Sequence, residues 1–103
     1  MADTLQVSCI QMHWAKSVEF NLERTLHYIK AAADYGSRVV LFPEANLTGY
    51  YLPYAVKLNQ KVVDDALRKT CAAAKKHRIW VIAGTFQKTK DRLLNVAHVI
   101  DPR

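Results

Sequence analysis

Apolar runs rich in β-branched residues alternate along this chain with stretches whose apolar residues recur at helical spacing, which marks it as α/β. Val39-Val40-Leu41-Phe42 is apolar on both faces, as a strand buried between two layers is. Val18, Leu22, Leu26, Ile29 and Ala33 recur at intervals of four, four, three and four, which puts them on one face of a helix. The order of such segments reads β-α-β-α-β-β.

Each element has its own signal. Leu5 to Met12 reads as the first strand. The first helix runs from about Ser17 to Tyr35: Ser17 is an N-cap residue, Glu19 and Glu23 fall in or near the first turn, and Gly36 supplies a left-handed stop. Arg38 to Phe42 is the second strand, ended by Pro43, which has no N–H for a ladder. Leu52-Pro53-Tyr54 marks a break in regular structure. A second helix, about Gln60 to His77, presents Val63, Ala66, Leu67, Thr70, Ala73 and Ala74 as its apolar face. Ile79 to Phe86 is the third strand, Gln87 to Asp91 a polar hairpin connection, and Arg92 to Ile100 the fourth strand.

The first three strands are therefore expected to be parallel with right-handed crossovers, and the fourth antiparallel to the third. Two such crossovers advancing in one direction put both helices on the same face of the sheet. Strands two and three are apolar on both faces, so the opposite face needs a cover.

Length and composition limit what this chain does. Its 103 residues make one domain at most, half of them are hydrophobic, and three Gly and three Pro leave no linker-like tract. Fifteen Lys and Arg against nine Asp and Glu give a formal charge of +6. The positive residues gather at the end of the second helix (Arg68, Lys69, Lys75, Lys76, Arg78) and in the hairpin tip (Lys88, Lys90, Arg92), where helix dipole and solvation account for them. No nucleic-acid motif accompanies the charge, and no nucleic-acid partner is expected. There is no secretory h-region and no apolar run of membrane-spanning length, so the expectation is a cytoplasmic protein with no membrane partner. Cys9, Cys71 and the histidines His13, His27, His77 and His98 lack metal-ligand spacing; no metal and no cofactor are expected, and both cysteines read as small buried hydrophobes.

The chemistry concentrates at Glu44, which follows the apolar run of strand two directly. Ligands of open α/β sheets bind at the carboxyl ends of the strands, so an ionisable group delivered there by a rigid strand is a candidate for catalysis. Pro-Glu at a strand end, taken on its own, reads first as a solvated loop carboxylate or a helix cap.

Context adds to it. Phe42-Pro43-Glu44 followed by Leu47-Thr48-Gly49-Tyr50, the opening strand Val7 to Met12, the helix with Asn21 and Gly36, and the strands Val81 to Phe86 and Leu94 to Pro102 together resemble the start of the carbon-nitrogen hydrolase (nitrilase) superfamily. The resemblance covers nearly the whole chain. It implies a four-layer αββα sandwich, in which residues 1–103 are a single partial domain, the N-terminal part of the module, with the sheet's second face covered by the remainder. It also implies a Glu-Lys-Cys triad acting on non-peptide C–N bonds of a small amide, nitrile or N-carbamyl compound, in a protein whose subunits commonly pack as a homo-oligomer. Glu44 is the counterpart of the general base, the proton acceptor. The family's lysine and cysteine lie on segments that come after the strand ending near Pro102, and Lys57, Lys61 and Lys88 fall on positions expected to be solvated, so the 103 residues alone are expected to be inactive.

Tyr50 and Tyr51 resemble residues the family sets near the substrate pocket; read from the residues alone they are half-buried loop aromatics with hydroxyls in water. Asn46, where many relatives carry a bulkier apolar residue, is expected at the pocket rim. Asn95, inside an apolar strand, needs a partner, and a structural hydrogen bond is the expectation. The alternative to the enzyme is a catalytically silent interaction module that completes its sheet against another chain.

Overall fold

The computed structural model describes residues 3–103, and it carries seven elements: β1 (Val7–Cys9), α1 (Val18–Asp34), β2 (Val39–Leu41), α2 (Leu52–Ala55), α3 (Gln60–His77), β3 (Trp80–Lys88) and β4 (Leu93–Ile100). The strands form one sheet in the order β1-β2-β3-β4, with the first two pairings parallel and the last antiparallel. All four expected strands and both long helices are present. β1 is shorter than its apolar run, although Arg38 N–H to Gln6 O and Ile10 N–H to Leu41 O extend its pairing by a residue at each end. The expected break at Leu52-Pro53-Tyr54 is instead the single turn of α2: Pro53 lies in a first turn, where no N–H is required of it.

The caps are local chemistry. Ser17 Oγ accepts the Phe20 N–H at 3.1 Å and opens α1. At its other end Gly36 takes φ of +96°, and Ser37 N–H returns to Ala32 O. Asn59 Oδ1 accepts the Lys61 N–H to open α3. Lys75, Lys76 and His77 fill the last turn of α3, where cations are favoured, before Arg78 adopts a left-handed φ of 54°.

Both long helices pack on the same side of the sheet. Ile29 and Ala32 of α1 and Ala74 of α3 share one core with Val40, Phe42, Val81 and Ala83. The α1 stripe is rotated from the expected one. Asn21, Thr25 and Ala32 are fully buried, while Leu22, Leu26 and Ala33 are only partly so. Asn21 and Thr25 are buried because they have partners there, described below, and no buried side-chain N or O among the described residues lacks one.

The other face is open. Strand register puts Val7, Cys9, Val39, Leu41, Trp80, Ile82 and Val99 side by side on it. Val99 is 65% exposed, Val7 51%, Leu41 41% and Trp80 39%. This overturns the expectation of buried cysteines: Cys9 is exposed because it stands on the uncovered face, and Cys71 because it faces outward from α3. Partial burial pushes the Cys71 thiol up from its ordinary range, away from the reactive thiolate. Among the described residues no helix is long and apolar enough to cross a membrane.

Candidate active site

β2 ends after Leu41, whereas β3 runs on to Lys88, so the edge of β3 beyond β2 would be left with bare backbone groups. The loop after β2 supplies them. Phe42 N–H donates to Ile82 O at 2.9 Å as the last strand-like bond. From there, Asn46 Oδ1 accepts the Gly84 N–H at 2.8 Å, Leu47 N–H donates to Gly84 O at 3.0 Å, and Thr48 Oγ1 accepts the Phe86 N–H at 3.1 Å. A side-chain amide and a hydroxyl thus take the place of a neighbouring strand.

A second set of bonds ties the same loop to α1. Asn46 Nδ2 donates to Thr25 Oγ1 at 2.9 Å, and Thr25 in turn donates to Asn21 O at 2.7 Å. The Asn21 amide reaches Leu47 O at 3.2 Å and closes on both backbone groups of Ala15. Asn46 is therefore not at a pocket rim. Only 1% of it is exposed, and its two ends are spent inside the protein. The loop also lies directly on β3. A Cβ at Gly84 would stand 2.4 Å from the Ala45 nitrogen, a distance at which the backbone itself must move.

This fastening fixes where Glu44 goes. Ala45 adopts a left-handed φ of 52°, the turn pivots there, and Glu44 emerges at the carboxyl end of β2 on the uncovered side of the sheet. It is exposed and lines an open concavity of about 310 Å³ with Leu41, Pro43, Ile82, Gly84, Asn95 and Ala97 among its walls. Asn95 Nδ2 donates to Glu44 Oε2 at 2.5 Å. That partner was not legible in the sequence, where Asn95 was simply a polar residue within an apolar strand. The signal that finds it is register: Asn95 stands opposite Phe86, at the level where β3 meets the Glu44 loop.

The other expected residues are placed as follows. Tyr50 is about half exposed and stacks edge-on against Phe86, ring centroids 5.3 Å apart. Tyr51 lies beneath the Lys16 ammonium, 4.2 Å from its ring centroid. Neither is among the residues that wall the concavity beside Glu44. Lys88 is not free in solvent as expected: its Nζ donates to Leu58 O at 2.5 Å, because the end of β3 lies against the turn before α3. Among the described residues no three His, Cys, Asp or Glu side chains converge in a way that could hold a metal ion.

The fold is layered α/β, and its strand-end carboxylate stands on the uncovered side of the sheet. Residues 6–103 match the carbon-nitrogen hydrolase family, and the chain belongs to it. Omega-amidase NIT2 of Bos taurus is 27% identical over 100 residues, covering 96% of this chain and 36% of that protein. The arylacetonitrilase of Macrophomina phaseolina is 28% identical over 114 residues, covering 97% of this chain and 33% of that protein. An amidase from Nesterenkonia sp. has the same fold over this region, with a TM-score of 0.85 at 17% identity, covering 95% of this chain and 38% of that one. The chain therefore spans about a third of the length of these curated relatives.

Proposed function

We propose that this chain is the N-terminal part of a carbon-nitrogen hydrolase module that hydrolyses a small non-peptide amide, nitrile or N-carbamyl compound, with Glu44 as its general base. The observation that carries the reading is the position of Glu44: a carboxylate at the carboxyl end of a core strand, on the rim of an open concavity, on a loop fastened at both sides. Family membership supports it, as do relatives that are omega-amidases and an arylacetonitrilase. A solved amidase with this fold was captured in complex with butyramide, and a small aliphatic amide is accordingly the first substrate to try.

In this reading the nucleophile is a cysteine outside the 103 residues, as is the lysine that steadies the tetrahedral intermediate with a backbone N–H. The Glu44 carboxylate accepts the thiol proton as sulfur bonds to the amide carbon. The C–N bond then breaks as the protonated Glu44 returns that proton to the departing nitrogen, ammonia leaves and a thioester remains. Glu44, again a carboxylate, takes a proton from water as the water oxygen bonds to that carbon, and returns it to sulfur as the C–S bond breaks, releasing the acid and the thiol. Tyr50 and Tyr51 are proposed for the substrate side on the family resemblance, Tyr50 reaching the site by way of Phe86, which pairs with the Asn95 that binds Glu44, although neither walls the concavity in the chain by itself. Homo-oligomerisation is part of the same proposal.

The test is Glu44→Gln in the protein that carries this chain together with the lysine and cysteine. Loss of a general base lowers kcat by about 10²- to 10⁴-fold, with little change in melting temperature because Glu44 is exposed. A kcat within about twofold of the parent removes Glu44 from the chemistry. The purified 103-residue chain is expected to release no ammonia from amides or nitriles, since it holds the base without its partners.

A further inference from the structure

Glu44 is held from two directions. Its backbone is carried by a loop pinned to Gly84 and Thr25 through Asn46, and its carboxylate is met by Asn95 from β4, 51 positions further along the chain. Asn95 itself is well anchored. It pairs with Phe86, whose ring is only 5% exposed and packs with Ala45 and Ala55, so the strand that aims the amide and the loop that carries the acid share one small core.

A glutamate side chain has three rotors, and an exposed one samples many of their combinations. The amide of Asn95 selects one set and engages one lone pair of Oε2, which leaves Oε1 as the oxygen with both its lone pairs free of that bond. A donor that is neutral and does not titrate near physiological pH orients a carboxylate without adding a charge to the site. We infer that Asn95 is a positioning residue for the base: its Nδ2–H fixes the Glu44 carboxylate so that Oε1 faces the concavity and is the atom that takes up the proton. This rests on the reading of Glu44 as the base.

The experiment is a double-mutant cycle in the protein that carries the complete triad, with a small amide as substrate. Misplacing a reacting group by about 1 Å costs up to about 10²-fold, so Asn95→Ala is expected to lower kcat by about 10- to 100-fold while KM stays within about threefold. Asn95→Asp, the same shape with no donor and a like charge facing Glu44, loses at least as much. Combining Asn95→Ala with Glu44→Gln is expected to cost no more than Glu44→Gln alone, because Asn95 acts only through that carboxylate. Asn95 is exposed, so folding is retained; if circular dichroism shows Asn95→Ala unfolded, Asn95→Ser, whose hydroxyl is too short to reach Oε2, takes its place in the cycle.

Two results overturn the inference and leave the base intact: a kcat for Asn95→Ala within about twofold of the parent while Glu44→Gln is inactive, or losses that multiply in the double variant. A near-normal kcat for Glu44→Gln instead removes the base, and the role of Asn95 goes with it.

Discussion

Asn46 joins β3 to α1 with a single buried amide, its Oδ1 accepting the Gly84 N–H and its Nδ2 donating to Thr25 Oγ1. This link holds the loop between Pro43 and Tyr50 to both β3 and α1. Without it, the Gly84 N–H is sealed in the interior with no acceptor, and such a group costs about 1–3 kcal/mol.

Asn46→Leu is therefore expected to destabilise the fold by about 1–3 kcal/mol, or several degrees in Tm for a domain of this size. Asn46→Asp keeps the acceptor for Gly84 but turns a carboxylate toward Thr25 Oγ1, whose proton already goes to Asn21 O, so it is expected to lose no less. Urea titrations of both variants beside the parent check this. An unchanged midpoint for Asn46→Leu would show that water or a rearranged loop satisfies Gly84 equally well.

The uncovered sheet face makes a second expectation concrete. Val7 and Trp80 flank Val39 by strand register, Leu41 and Val99 flank Ile82, and each of these four is at least 39% exposed. Contiguous apolar patches of this kind drive association, and the 103-residue chain is expected to self-associate as its concentration rises. Val99→Lys with Trp80→Lys puts two like charges on the patch and shifts the chain toward monomer. Sedimentation velocity checks both, and a parent chain that stays monomeric across a wide concentration range contradicts the expectation.

His98 sets a pH dependence. It projects to the helix-covered side, its Nε2 lies 2.8 Å from Thr85 Oγ1, and burial holds its pKa below the ordinary 6.5. As pH falls through that ordinary value the unfolded chain takes up the proton first, so the stability present above it declines as pH drops toward the lower folded value. His98→Gln does not titrate. It is expected to lose less Tm than the parent between about pH 7.5 and about pH 5.5, and equal losses would show that His98 contributes nothing to the slope.

What the sequence by itself determined is what short-range chemistry determines. Alternating apolar runs and helical stripes, Ser17 as a cap, Gly36 as a stop and Pro43 as a strand end set the elements and their order, because each depends on residues within a turn or a strand of one another. The place of Glu44 in the fold was legible for the same reason: a carboxylate two residues past Phe42, beyond a proline that stops the ladder, falls at the carboxyl end of the strand. The tertiary structure alone decided the rest. The burial of Asn21 and Thr25 in place of Leu22 and Leu26, the turn of Asn46 inward, the exposure of Cys9, and the meeting of Asn95 with Glu44 all depend on partners tens of residues away. A polar side chain gives no local sign of whether it will be buried. That depends on whether the fold brings a donor or acceptor to it, and here the unpaired edge of β3 past the end of β2 is what brings Asn46 and Thr48 their partners.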